Sequence, residues 1–255
     1  MAGIKWTKKE INLLLDKYEI FGKKQLKELF PNRSWDAIKL RANKEGLTFY
    51  NGTHPYVQAN LSALLEDDPK AYYWMGFLAA DGYFSKKRLC LCLSTKDKMH
   101  LIKFCQFISC PNHKSVKNGY DVKVQDQNII PKIREKFDLK ERKTYNPPDI
   151  SWITGDLFLS FMIGFIDGDG CIGYQSGGRK DVQLRIKIHG SWKNTLQEMS
   201  NKIHESLEIE ARPVRINNQG YALLTLARQS TLRHLKSKLT ELELPALERK
   251  WDKIE

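Results

Sequence analysis

Two aspartates end two copies of one nine-residue pattern, and their chemistry suits the binding of a metal ion. The copies read WMGFLAADG over residues 74–82 and MIGFIDGDG over residues 162–170, so that Asp81 is in register with Asp169. The offset is 169 − 81 = 88 residues, which is long enough for a small α/β unit. Because a repeat at a fixed offset indicates a duplicated architecture, the chain is predicted to contain two related halves.

Each copy of the pattern is predicted to be the last part of a helix. An apolar run ends in Asp-Gly, and glycine is favoured just beyond a helix C-terminus because it accepts a positive φ. Small residues four positions apart lie on one helix face and allow two helices to approach closely. Such pairs occur in both copies: Gly76 with Ala80, and Gly164 with Gly168.

If the two helices pack through these faces, Asp81 and Asp169 lie side by side at two helix C-termini, which carry partial negative charge. Two carboxylates held there repel each other unless one is protonated or a divalent cation binds. Oxygen ligands at an open site suit Mg²⁺, which readily shares its coordination shell with phosphates. The alternative is a pair of unrelated buried helices with ordinary C-caps. Two copies in register, each followed by strand-like sequence, favour the paired site.

The amino-acid composition indicates which class of molecule the chain binds. The 255 residues carry 42 Lys and Arg against 30 Asp and Glu, a formal net charge of +12, which favours a polyanion over an ordinary solvated basic surface. The apolar runs are too short to cross a membrane, and the first residues lack an apolar signal region. A soluble intracellular protein is expected, with its five cysteines reduced.

Residues 1–48 are predicted to form a separate three-helix domain. Thr7 with Glu10 makes a capping box for the first helix, and Pro31 stops the second. Ser34 caps the third helix and Gly46 ends it. Three short helices with a tight turn before the third are typical of a helix-turn-helix DNA-binding domain.

This domain resembles the Myb/SANT-like DNA-binding fold through Trp6, Trp35 and the run NRSWDAI over residues 32–38. Its third helix is expected to carry DNA-binding side chains suited to bases and phosphates, namely Arg33, Lys39, Asn43 and Lys44. The alternative is a three-helix bundle that binds a protein.

The remaining chain divides into a linker over residues 49–67 and two halves, residues 68–150 and 151–255. Each half is predicted to have the element order α-β-β-α-β-β-α, from helix starts such as Asp68-Pro69 and hairpin turns such as Asn118-Gly119. The fold class is therefore α+β, with two antiparallel four-stranded sheets.

One predicted strand shows how such a sheet could contact DNA. Apolar residues at 182, 184 and 186 alternate with polar ones, which leaves a polar and mostly basic face for the major groove. The predicted DNA-binding residues of the sheets are Lys123, Gln183, Arg185, Lys187, His189 and Arg215.

With both motif copies, residues 68–255 resemble a single-chain LAGLIDADG homing endonuclease. The resemblance implies two pseudo-symmetric half-domains that form a saddle over DNA and meet at the motif helices. It implies Mg²⁺-dependent cleavage of both strands of a long double-stranded DNA target, with Mn²⁺ or Ca²⁺ able to replace Mg²⁺ in binding. It further implies a monomer, no membrane partner, and a link to intron or intein mobility.

The resemblance also assigns residues. Asp81 and Asp169 match the metal-binding acidic residues of the family, and Lys143 and Lys250 match its active-site lysines. Whether the backbone at Ala80 also contacts the metal is left open. The first copy departs from the second at one position of the motif, where Ala79 stands in register with Asp167, a position that is usually structural.

Two other functions fit the same fold, an RNA-splicing maturase and a DNA-binding protein without catalytic activity. The presence of both aspartates and both lysines favours an active enzyme, and the predicted helix-turn-helix favours duplex DNA over RNA. Phosphodiester hydrolysis needs an activated water and neutralised phosphate charge, which metal ions and lysines supply. A cleavage assay with and without Mg²⁺ separates the three functions.

Overall fold

In the computed structural model, the chain is divided by its contacts into two compact units, residues 1–56 and 57–255. The structure describes residues 5–18, 21, 23–47, 59–110, 113–174 and 181–255. Two predicted segments lie outside the described residues: residues 49–58, the first part of the linker, and residues 175–180, which the sequence predicts to be a basic, glycine-rich loop.

The smaller unit contains the three predicted helices: α1 (Lys8–Lys17), α2 (Lys23–Leu29) and α3 (Trp35–Lys44). The capping box is present, since Thr7 Oγ1 accepts a hydrogen bond from the Glu10 backbone N–H at 3.2 Å and Glu10 Oε2 accepts one from the Thr7 N–H at 2.8 Å. Ser34 caps α3 in the same way through the Ala37 N–H. A small apolar core joins the helices and contains Leu14, Tyr18, Leu26, Phe30, Ile38 and Ala42.

The first half of the larger unit follows the predicted order. Its elements are α4 (Pro69–Asp81), β1 (Tyr83–Phe84), β2 (Arg88–Ser94), α5 (Lys98–Phe107), β3 (Lys114–Val116), β4 (Gly119–Gln125) and α6 (Ile129–Lys136). The strands form an antiparallel sheet in the order β1-β2-β4-β3. Asp68 caps α4 with Pro69 as its first residue, as predicted, because the carboxylate accepts from the N–H groups at 70 and 71.

The second half repeats this order and adds one short helix. Its elements are α7 (Gly155–Asp169), β5 (Gly170–Tyr174), β6 (Val182–His189), α8 (Lys193–Glu205), β7 (Arg215–Ile216), β8 (Tyr221–Leu226), α9 (Gln229–Glu241) and α10 (Glu248–Trp251). The sheet is again antiparallel, with strand order β5-β6-β8-β7. The prediction of an α+β fold with two four-stranded antiparallel sheets is confirmed.

Both sheets bury one face against helices. In β6 the residues Val182, Leu184 and Ile186 are at most 5% exposed, whereas Arg185 and Lys187, which alternate with them, are exposed. β2 has the same alternation, with its three leucines inward. Because antiparallel strands alternate their side chains, one face of each sheet remains available to a partner.

The predicted linker over residues 49–67 is wrong in its second part. Leu61–Leu65 forms a short 3-10 helix, and Leu61 and Leu64 are buried in the core of the larger unit. The Asn60 backbone N–H also donates to the carbonyl of Ile108 at 2.6 Å. Apolar residues three positions apart lie on one face of such a turn, so this segment gains more from burial than from solvation.

All five cysteines are free thiols. Among the described residues, no helix is both long and apolar enough to span a bilayer.

Candidate active site

The two motif helices touch through their backbones. A Cβ atom placed on Gly76 would lie 1.8 Å from the carbonyl oxygen of Phe161, and one on Gly164 would lie 1.9 Å from that of Tyr73. A Cβ on Gly168 would lie 2.3 Å from the Cβ of Ala80. The prediction that small residues let α4 and α7 pack closely is therefore confirmed, and at Gly76 and Gly164 the nearest atoms of the other helix are backbone atoms.

The glycines after the two aspartates serve a different purpose from the one predicted. Gly82 and Gly170 have φ of −75° and −81°, so the predicted positive φ is wrong at both. A Cβ there would lie 2.6 Å from the Leu78 carbonyl oxygen or 2.5 Å from that of Ile166. The chain turns directly from helix into strand, and only glycine fits against the preceding turn.

Asp81 and Asp169 are the last residues of α4 and α7. Desolvation of its carboxylate raises the pKa of Asp81, although the residue remains accessible to solvent, and the negative charge of Asp169 raises it further. Desolvation also raises the pKa of Asp169. Asp169 is thus close enough for its charge to act on Asp81, as the register of the motifs predicts.

Lys143 lies at the C-terminus of α4. Its Nζ donates to the carbonyl oxygens of Leu78 at 3.0 Å, Ala79 at 2.8 Å and Ala80 at 2.5 Å. Burial lowers the pKa of Lys143 to about 8, while the charges of the two aspartates oppose that shift. The ammonium group therefore neutralises the negative end of α4 beside Asp81.

Lys250 occupies the same position at the end of α7. Its Nζ donates to the backbone carbonyl oxygens of Asp167 at 2.6 Å and Gly170 at 2.7 Å, with two further carbonyls of that helix end nearby. Burial also lowers the pKa of Lys250. Both lysines lower the pKa values of Asp81 and Asp169 by their charge. The structure thus brings all four residues of the predicted site into one cluster.

The donor atoms of this cluster fit a hard divalent cation. Among the described residues there is no group of three or more His, Cys, Asp or Glu side chains that could hold a metal. A site of two carboxylates suits Mg²⁺, which usually keeps several waters and binds through one or two carboxylates together with substrate phosphates. A bound cation would also offset the desolvation, and then the repulsion from Asp169, that raise the pKa of Asp81. The carbonyl oxygen of Ala80 accepts a hydrogen bond from Lys143.

The predicted DNA-binding residues of the sheets lie on the faces turned away from the helices. Arg185, Lys187, Arg215 and Lys123 are exposed, whereas Gln183 and His189 are partly buried. Several are already oriented by neighbours: Lys187 Nζ donates to Gln219 Oε1 at 3.0 Å, and Lys123 is 2.6 Å from the buried Asp121.

In the N-terminal unit, Lys39, Asn43 and Lys44 are exposed on α3, as predicted. The prediction that Arg33 reaches DNA is wrong, because its side chain is only 6% exposed. Its guanidinium donates to both carboxylate oxygens of Glu10 at 2.9 Å and lies over the Trp6 ring at 4.6 Å. The pair lowers the pKa of Glu10 to about 2. Arg33 thus joins α1 to the turn before α3.

Asp167 has a role that the sequence did not reveal. It is 2% exposed, and its carboxylate accepts hydrogen bonds from Tyr73, from the Leu247 N–H and from Trp251. The available signal in the sequence was the departure of the first motif at Ala79, but all three partners lie 80 or more positions away.

No protein-family profile and no curated protein matches the sequence. Solved structures with a similar fold include I-SmaMI bound to uncleaved DNA target in the presence of calcium ions, with 12% identity, 74% of this chain and 90% of that chain covered, and a TM-score of 0.50. A lysine-to-alanine mutant of I-SmaMI has 11% identity, 73% and 88% coverage, and a TM-score of 0.51. The LAGLIDADG homing endonuclease I-GzeII in complex with DNA target has 13% identity, 74% and 89% coverage, and a TM-score of 0.49. The chain therefore shares the mixed α+β fold of the I-SmaMI structures.

Proposed function

We propose that the chain is a site-specific DNA endonuclease that hydrolyses phosphodiester bonds of a long double-stranded target, using divalent metal ions held by Asp81 and Asp169. The cluster of two carboxylates, the partly buried Lys143 and the buried Lys250 at the ends of α4 and α7 carries this proposal. The shared fold with I-SmaMI, which was solved with a DNA target and calcium, supports DNA as the substrate and a divalent ion as the cofactor.

Each residue has a defined task in this chemistry. Asp81 and Asp169 would hold Mg²⁺, which when bound would supply charge neutralisation at the phosphate and activation of a water molecule. Lys143 and Lys250 neutralise the helix ends, which favours ionised carboxylates able to bind a cation. Their positive charge also stabilises the negative charge that develops on the attacked phosphate.

In this proposal the two halves form a saddle over the duplex, with the exposed face of each sheet in a major groove. Arg185, Lys187 and Arg215 then contact base edges and phosphates, while Gln183 and His189 contribute from partly buried positions. In the other sheet, Lys123 is the predicted contact. The enzyme acts as a monomer, because one chain contains both motifs.

We expect Arg185→Ala to relax sequence preference at one base pair, at a cost of about 1–3 kcal/mol in binding to the preferred site, because Arg185 is exposed on the free face of β6. Binding to duplexes with each single-base substitution measures this effect. Arg233→Ala on α9 is the matched control, since α9 packs on the covered face of β6. An equal loss of affinity for all sequences would instead identify Arg185 as a phosphate contact.

The N-terminal unit is proposed to be a second DNA-binding module with the helix-turn-helix arrangement. α3 presents Lys39, Asn43 and Lys44 to solvent, although Lys39 also pairs with Asp36 at 2.8 Å. If both units bind one duplex, the second contact is intramolecular and raises overall affinity without any change in the catalytic cluster.

For this module, we expect the double variant Asn43→Ala and Lys44→Ala to weaken target binding by about tenfold and to reduce the salt slope by about 1, since one phosphate contact is lost. The cleavage rate at saturating enzyme should not change. Lys9→Ala, which removes one exposed charge from α1, is the control. Unchanged affinity and footprint would mean that the unit binds a partner other than the target duplex.

The central experiment selects cleaved duplexes from a randomised library with the full chain and Mg²⁺, and repeats the selection with a chelator. Enrichment of one long site only when Mg²⁺ is present supports the proposal. Retention of a duplex without cleavage would favour a DNA-binding protein, and binding only to structured RNA would favour a maturase.

A further inference from the structure

Asp167 is a buried carboxylate in the otherwise apolar interface between α4 and α7. Its Oδ2 accepts from the Tyr73 hydroxyl at 2.7 Å and from the Leu247 N–H at 2.8 Å, and its Oδ1 accepts from Trp251 Nε1 at 2.7 Å. Both carboxylate oxygens are therefore occupied, and Tyr73 itself is 3.0 Å from the ring of buried His100. A buried carboxylate with three donors is a strong and directional anchor.

Two of these donors belong to the segment that carries Lys250. Leu247 precedes that lysine by three residues, and Trp251 follows it directly. The carboxylate of Asp167 thus holds the segment on both sides of Lys250, while the Lys250 ammonium contacts the carbonyls at the end of α7.

The same segment is also attached to the first half of the larger unit. Arg249 makes a bidentate ion pair with Asp97 at 2.7 and 2.8 Å, and Glu248 is 3.2 Å from Lys103. These pairs are more exposed, so they stabilise the segment less than the buried carboxylate does.

Within the described residues, the segment that carries Lys143 has no such anchor. Ala79 is in register with Asp167. Among the residues that the structure describes, residues 141–146 donate no hydrogen bond to a buried carboxylate; they are held by contacts such as the Ser191 hydroxyl on the carbonyl of Thr144. The neighbouring Arg142 also has a positive φ of 54°, a costly conformation for a residue with a side chain.

We propose that Asp167 is the positioning residue for Lys250, and that its absence from the first motif makes the two lysines unequal in the cleavage of the two DNA strands. This inference rests on the proposed endonuclease activity. One lysine caps each motif helix, so each is placed to serve one of two scissile phosphates. The strand served by Lys250 depends on the Asp167 anchor, and the strand served by Lys143 does not.

The test uses the full chain and its selected target, with a different label on each strand. In Asp167→Asn an amide N–H₂ replaces one acceptor oxygen, which leaves a buried donor of Leu247 or Trp251 without a partner. We expect cleavage of one strand to slow by at least about tenfold and that of the other to change by less than about twofold, because misplacing a catalytic group by a fraction of an ångström is enough for such a loss. Nicked circular plasmid should accumulate.

Trp251→Phe removes the indole N–H together with part of the buried ring system and should slow the same strand, so it provides the test if Asp167→Asn does not fold. Asp252→Asn, one position further on and exposed, is the matched control and should leave both rates unchanged. Asp167→Glu should restore part of the rate if it regains the hydrogen bonds. Equal slowing of both strands, or slowing of neither, would overturn the proposal.

A measurement without cleavage separates this inference from the proposed function. Hydrogen exchange in free Asp167→Asn protein should be faster in residues 246–251 and unchanged in residues 141–146. If the wild-type chain cleaves no duplex yet this difference is found, the anchor exists and the endonuclease proposal fails. If the chain cleaves DNA and exchange in residues 246–251 is unchanged, the anchor proposal fails.

Discussion

Asp169→Asn is expected to abolish DNA cleavage, with a loss of at least about 10³-fold in the single-turnover rate, because it removes a carboxylate ligand from the proposed metal site. Binding of the uncleaved target should stay within about tenfold, since the proposed task of this carboxylate is to hold the metal ion and not to contact bases. Asp81→Asn should behave in the same way, as the two residues end equivalent helices.

The measurement pairs a cleavage time course in Mg²⁺ with a binding titration of the same target in Ca²⁺. Asp252→Asn is again the control, because it makes the same chemical change at an exposed residue outside the cluster. A higher Mg²⁺ concentration should not restore the cleavage rate of Asp169→Asn, because one of the two proposed carboxylate ligands is missing. Full cleavage by this variant would exclude Asp169 from the metal site.

Much of the element order could be predicted because it is encoded locally. The Thr7–Glu10 capping box and the alternation along residues 182–189 depend on residues within a few positions of one another, and both occur as predicted. Asp81 and Asp169 are 88 positions apart, but their proximity could be predicted because both copies of the motif contain small residues at the spacing that lets two helices pack closely.

What could not be predicted depends on contacts between distant residues. The sequence around Arg33 favours an exposed arginine that binds DNA. In the structure its guanidinium instead donates to the carboxylate of Glu10, which lies 23 positions away. The anchoring of Lys250 by Asp167 likewise joins residues from separate elements. The sequence correctly favours glycine at position 82, but the predicted reason, a positive φ, is wrong. A side chain is excluded there because the backbone lies close to Leu78.

The packing of α4 against α7 gives the largest expected effect on stability. Gly164→Ala should destabilise the larger unit by at least about 3 kcal/mol, at or beyond the usual range for overpacking, because the new Cβ meets backbone and not a movable side chain. It would lie 1.9 Å from the Tyr73 carbonyl oxygen and 2.9 Å from the Phe77 nitrogen, so the helices must separate or shift. Gly76→Ala should be similar, with its Cβ 1.8 Å from the Phe161 carbonyl oxygen.

Chemical denaturation of the full chain measures this loss, with Gly173→Ala as the matched control. Gly173 lies in β5, and a methyl group added there would meet open space, with no neighbouring atom within 4 Å. The same substitution at this position should therefore change the free energy of unfolding by less than about 1 kcal/mol. Because separation of the helices also moves Asp81 away from Asp169, any folded Gly164→Ala protein should need more Mg²⁺ for half-maximal cleavage. A Gly164→Ala protein as stable as the Gly173→Ala control would mean that the two helices do not meet at these glycines.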